Sequence, residues 1–138
     1  PTPNLLNLAS INSIASKNIS YVGDAISYAT TVSNVGNVPL GTYDVPVTVF
    51  TELSPSVSFI PGSLSINNVP VNCINPSQIN LGILQPGDVR IITYSVRVNN
   101  ACPNIVYNIQ KLLYGYDPLY IGTSTFSVNG NIVMTYIN

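Results

Sequence analysis

A chain of 138 residues with four basic and five acidic side chains and a net charge of −1 has no electrostatic footprint for nucleic acid or an anionic membrane. Its hydrophobic content of 46% with only 7% charge sets it apart from disordered sequences and fits one domain with a sizeable core. Histidine is absent, which removes the side chain most used for acid–base work near neutral pH and the commonest transition-metal ligand. No apolar run approaches the roughly 18 residues of a membrane span. With Pro1 at its start and no leader-like stretch, the chain reads as a processed product or an excised segment.

The first twenty residues fit neither strand nor helix period cleanly. A Pro-punctuated opening, PTPNLLNL over 1–8, leads into Ile11 and Ile14, and a first strand with a kink or a switch between sheets is expected. From Ala25 to Asn34 the alternation is clear, with Ile26, Tyr28 and Val32 on one face and Ser27, Thr31 and Ser33 on the other. The run Tyr43–Glu52 places Tyr43, Val45, Val47 and Val49 together, with Asp44, Thr48 and Glu52 opposite. Pro46 inside that run predicts a sheet edge or a bulge.

Short strands are expected at Val57–Ile60, Leu64–Ile66, Val69–Val71 and Ile79–Leu84. Arg90–Val98 alternates Ile92, Tyr94, Val96 and Val98 against Thr93, Ser95 and Arg97. Three further strands follow at Ile105–Tyr116, Thr123–Val128 and Ile132–Ile137. Turn chemistry separates them at Asn34–Asn37, Pro61-Gly62, Asn67-Asn68, Pro86–Asp88 and Asn99-Asn100. Asn129-Gly130 predicts a type I′ hairpin between the last two strands. Gly23, Gly36, Gly62 and Gly87 are read as positive-φ positions. Many short strands without helical periodicity predict an all-β, two-sheet sandwich. The expected core comprises Ile26, Tyr28, Val32, Val47, Val49, Ile92, Tyr94 and Val96.

Three segments carry a likeness to a known module. Val22-Gly23-Asp24 precedes the strand to Asn34, which ends in Asn34-Val35-Gly36-Asn37; Phe59-Ile60-Pro61-Gly62-Ser63 leads to Asn67-Asn68; and Gly82-Ile83-Leu84-Gln85-Pro86-Gly87-Asp88 precedes a strand. Over roughly residues 5–137 the chain resembles the conserved repeat domain of bacterial surface proteins, domain of unknown function eleven. That family's modules are immunoglobulin-like and stand in tandem in extracellular proteins. The resemblance implies residues 1–8 as a connecting segment, residues 9–138 as the sandwich, and an extracellular place on a cell or spore surface. It departs from the family in its low charge, low Thr content and two cysteines.

Cys73 and Cys102 match no zinc or redox spacing, which leaves one disulfide, two cross-links or two free thiols. The extracellular setting favours pairing, which would close a loop of about 30 residues and contribute roughly 3–4 kcal/mol. Five carboxylates, Asp24, Asp44, Glu52, Asp88 and Asp117, are scattered singly, so neither a metal nor a cofactor is expected. Asp24 and Asp88 suit turn hydrogen bonds.

Immunoglobulin-like pilus modules can carry Lys–Asn isopeptide bonds. Lys17 with Asn131 or Asn138, beside Glu52, would supply the parts. The plainer reading leaves Lys17 and Lys111 exposed. Asn18-Ile19-Ser20 matches a glycosylation triplet.

No nucleophile–base constellation or paired carboxylates can be picked out, so the chain is read as a non-enzyme. The expected function is a structural building block of an extracellular bacterial fibre, stalk or surface layer, assembling end to end with copies of itself. Within residues 1–14, Leu5, Leu6, Leu8, Ile11 and Ile14 would pack on or insert into the adjacent domain, and a terminal strand, Leu5–Ile14 or Ile132–Asn138, could complete the neighbour's sheet. The alternative is an adhesive module gripping a glycan or host protein through Tyr107, Tyr114, Tyr116 and Tyr120.

Overall fold

The computed structural model describes residues 9–72, 76–116 and 124–138. Twelve strands run β1 (Ala9–Ala15), β2 (Ile19–Ser20), β3 (Ala25–Asn34), β4 (Val47–Leu53), β5 (Val57–Phe59) and β6 (Ser65–Ile66), then β7 (Val69–Pro70), β8 (Gln78–Gly82), β9 (Val89–Val98), β10 (Ile105–Tyr116), β11 (Ser124–Asn129) and β12 (Val133–Ile137). They form two sheets. The first has the order β1-β3-β9-β6-β7, with β5 also on β9; the second has β2-β12-β10-β4-β8, with β11 also on β10. The fold is the expected all-β sandwich.

Alternation explains the long strands. In β3 the even positions Ile26, Tyr28 and Val32 face the second sheet, and in β9 Ile92, Tyr94, Val96 and Val98 do the same. The eight residues expected in the core are all buried there, joined by Leu40, Leu64, Leu84, Val106, Leu112 and Tyr114. The irregular start is a change of sheet: β1 pairs with β3 in the first sheet, and β2 pairs in parallel with β12 in the second.

Three expectations are corrected. The strand through Pro46 begins only at Val47, leaving Tyr43 94% exposed. It sits between β10 and β8, so of the two expected alternatives the edge fails and the bulge holds, with a register shift between Val47 and Thr48. That bulge lets Val47, Thr48 and Val49 all be buried in succession.

The second correction concerns Asn129-Gly130. Strands β11 and β12 do not form a hairpin together; both pair with β10 along the same side, antiparallel. Lys111 faces Asn129 while Asn108 faces Val133, so the outer chain carries one extra residue between these pairs. Gly130 N–H donates to Gln110 O at 2.8 Å. A β-carbon there would stand 3.0 Å from that oxygen, so the glycine serves a close approach rather than a turn. The left-handed pair lies instead at Asn67 (φ 50) and Asn68 (φ 66), between β6 and β7.

Third, Gly23, Gly62 and Gly87 have positive φ as expected, but Gly36 does not. There the turn is held by Asn34, whose Oδ1 accepts Gly36 N–H while its amide donates to Val38 O and Leu84 O.

Tyr28 and Tyr94 face each other across β3 and β9, with ring centroids 5.5 Å apart. Tyr94 Oη donates to Asn108 Oδ1 on the opposite sheet. Burial pushes the Tyr28 phenol up to about 12 and raises that of Tyr94 further, with the neighbouring Tyr28 adding to the effect. In the unfolded chain these phenols ionise near about 10. The folded state thus holds their protons more tightly, and its stabilisation is full below about pH 10 and lost as pH rises beyond it. Denaturant titrations should show stability falling by about 1.4 kcal/mol per pH unit for each such tyrosine above that point. A flat profile there would refute the assignment.

Candidate functional site

Residues proposed for assembly are divided by the structure. Ile11 lies in the domain's own core and Ile14 is 63% exposed on β1, while Leu5, Leu6 and Leu8 lie outside the described residues. Strand β1 pairs with β3 over its full length, and β12 pairs with β10. Within this chain, residues 9–14 of the N-terminal segment are paired in its own first sheet.

The free edge of β1 is closed by a side chain. Asn131 Oδ1 accepts Ser13 N–H at 2.7 Å, and its amide donates to Ser13 O at 2.9 Å. One side chain thus mimics a β-bridge between the two sheets and blunts an edge that could otherwise pair with another chain.

Behind that bridge lies a buried polar cluster. Ser13 and Thr30, opposed on β1 and β3, both donate to Gln110 Oε1 at 2.5 Å. Gln110 Nε2 donates to Thr51 Oγ1 at 3.2 Å. Strand β10 thus reaches across the core and ties both sheets at one level. The isopeptide parts do not meet here: Lys17 Nζ lies 3.6 Å from Asp24, Asn131 is held by Ser13, and Glu52 is exposed on the far face of the second sheet.

The aspartates do turn work. Asp24 Oδ2 accepts Tyr21 N–H and Ser20 Oγ–H, both at 3.2 Å. The Tyr21 bond is the main cause holding its carboxyl below the usual value, with lesser help from Ser20 and Lys17 against partial desolvation. Asp88 Oδ2 accepts Gln85 N–H at 2.9 Å and lies 3.8 Å from Arg90. Among the described residues no three His, Cys, Asp or Glu side chains gather as a metal site.

The tyrosine run is split. Tyr107 is half-buried on the outer face of β10, Tyr114 is in the core, and Tyr120 lies outside the described residues. Tyr107 and Tyr114 sit on a central strand, not in a gripping loop. Tyr116 ends that strand. Of the glycosylation triplet, Asn18 is exposed but Ser20 is buried, with its hydroxyl on Asp24. Cys102 is exposed with its thiol free, and Cys73 lies outside the described residues.

The outer faces of the two sheets differ. On the first, Ser10, Asn12, Ser27, Thr31, Ser33, Thr93 and Ser95 make a largely hydroxyl-bearing surface interrupted by the exposed Ile14, Val89 and Ile91, with Ser27 and Ser95 hydrogen-bonded at 2.8 Å. Apolar side chains are more continuous on the second. Met134 opposes Tyr107 and Tyr136 opposes Ile105, with Ile19 beside Tyr136. Next to them Phe50, Glu52, Ile109, Lys111 and Ile132 border a groove of about 570 Å³. Sequence reading missed this face, although Met134 and Tyr136 alternate with the inward Thr135 and Ile137.

No protein-family model and no curated protein matches the chain. Solved structures do. The major pilin subunit of Bacillus cereus is similar over 94% of this chain and 40% of its own, with a TM-score of 0.66 and 9% identity. The N-terminal domain of a Streptococcus gordonii adhesin is similar over 93% of this chain and 32% of its own, with a TM-score of 0.56 and 13% identity. The chain thus spans less than half the length of either. The likeness is one of fold: an immunoglobulin-like two-sheet sandwich of the kind found in bacterial pilin and adhesin domains.

Proposed function

We propose that this chain is a structural module of an extracellular bacterial fibre, stalk or surface layer, joined end to end to copies of itself. The observation that carries the reading is the sandwich shared with a major pilin subunit over 94% of the chain. The sparse charge supports it, since a net −1 leaves little repulsion between copies. The turn motifs that resemble the bacterial surface repeat domain point the same way. In this reading residues 1–8 connect one domain to the next, residues 9–138 form the sandwich, and the setting is a cell surface. Cys73 and Cys102 would be oxidised there, within a chain or between copies.

The end-to-end contact is assigned to Leu5, Leu6 and Leu8, because β1 is committed to its own sheet. Electron microscopy of the purified chain should show linear assemblies. Deleting residues 1–8 should abolish them while leaving a sandwich of unchanged melting temperature. Equal assembly by the truncated chain would refute this role. The adhesive alternative is weaker, since of its tyrosines Tyr114 lies in the core and Tyr107 is half-buried on the outer face of a strand.

A further inference from the structure

We propose that the outer face of the second sheet is a lateral docking surface for a second copy of this chain, packed sheet to sheet about a twofold axis. Four side chains on it are more than half exposed although apolar or aromatic: Ile19 (57%), Ile132 (57%), Met134 (53%) and Tyr136 (54%). Ile105, Tyr107, Ile109 and Phe50 continue the surface across β10 and β4. The register makes it contiguous, because opposed residues on neighbouring antiparallel strands point to the same side.

Charge identifies the occupant. Glu52 and Lys111 are diagonal neighbours in the pairing of β4 with β10, where Ile109 faces Glu52 and Phe50 faces Lys111. Both are exposed, and among the described residues neither makes an ion pair. One positive and one negative group on an apolar face make that face complementary to itself. A twofold axis midway between them lays Lys111 of each copy over Glu52 of the other.

Area sets the strength. Rows 105–111 across β2, β12, β10 and β4 cover on the order of 300–400 Å² in projection, from strand spacings of about 4.8 Å and rises of about 3.4 Å. A standard stable interface takes about 800 Å² per partner, so an isolated pair is weak and gains strength only when copies are arrayed. This contact lies on the flank of the domain. It is independent of the end-to-end contact through residues 1–8.

Sedimentation velocity on the full chain, from micromolar to millimolar, tests it. The natural chain should dimerise as concentration rises. Lys111→Glu and Glu52→Lys, each alone, should weaken pairing roughly tenfold, because each doubles one sign on the face. A one-to-one mixture of the two variants should restore it, since the acidic copy then faces the basic copy at both positions. Both substitutions are on exposed side chains, and an unchanged melting temperature confirms the fold. A mixture no tighter than either variant, or a natural chain that stays monomeric laterally, overturns the proposal. So do backbone resonances of this face that shift with an added oligosaccharide or extended peptide while no copies pair. Filament length under the microscope should be indifferent to the charge variants, which separates this outcome from failure of the end-to-end reading.

Discussion

Replacing Gln110 with alanine is expected to lower the free energy of unfolding by about 3–5 kcal/mol. The side chain is 1% exposed and accepts from two hydroxyls while donating to a third. Truncation leaves Ser13 and Thr30 with only each other, at 3.1 Å, in a site without water access. Each buried polar group left without its partner costs about 1–3 kcal/mol, and the cavity left by the amide adds to that. A triple variant, Ser13→Ala with Thr30→Val and Gln110→Leu, removes all the polar partners together and should recover most of the loss. Urea unfolding with unchanged slope measures both. A single-variant loss below about 1 kcal/mol would show that the cluster is dispensable.

Most of the fold was legible because its long strands alternate strictly. Strands β3 and β10 have the expected ends, and β9 differs by one residue, since each buries one face and leaves the other to solvent. Local turn chemistry was a poorer guide. Asn-Gly has the composition of a tight turn, but at 129–130 the pairing partner is decided by β10, twelve residues long and able to hold β11 and β12 in line. Tertiary pairing overrode the local preference. At Pro46 the local signal held in part: the strand starts at Val47 and not at Tyr43, but it carries the bulge that the proline predicted.

The candidate surfaces were less legible than the core. Polar residues at inward positions were the visible sign of the cluster: Ser13 follows Ile11, Thr30 stands between Tyr28 and Val32, and Gln110 precedes Leu112 by two. Each alone looks like an ordinary strand polar residue. That they meet depends on β1 and β10 lying in opposite sheets, which no local spacing states. The apolar flank was hidden for a related reason. Its residues come from β2, β4, β10 and β12, and they become one surface only once the register is known.

Gly41→Ala is expected to cost at least about 3 kcal/mol, beyond any effect of chain entropy. Gly41 has φ +87, and a β-carbon there would stand 2.9 Å from Gly82 O and 2.9 Å from Val47 N. Both obstacles are backbone, and both belong to the pairing of β4 with β8 where the register shifts. Gly41 N–H also donates to Gly115 O at 2.9 Å, so the loop cannot move away without releasing the end of β10. The left-handed backbone alone costs an L-residue about 1–2 kcal/mol. Gly62 supplies the control, because its φ is +83 and no atom lies within 4 Å of an added β-carbon. Gly62→Ala should therefore show the conformational cost only, about 1–2 kcal/mol. The difference between the two variants, read from paired denaturation curves, isolates the steric part at the β4–β8 bulge. If Gly41→Ala loses no more stability than Gly62→Ala, the close approach of these three backbone segments does not constrain the fold as described.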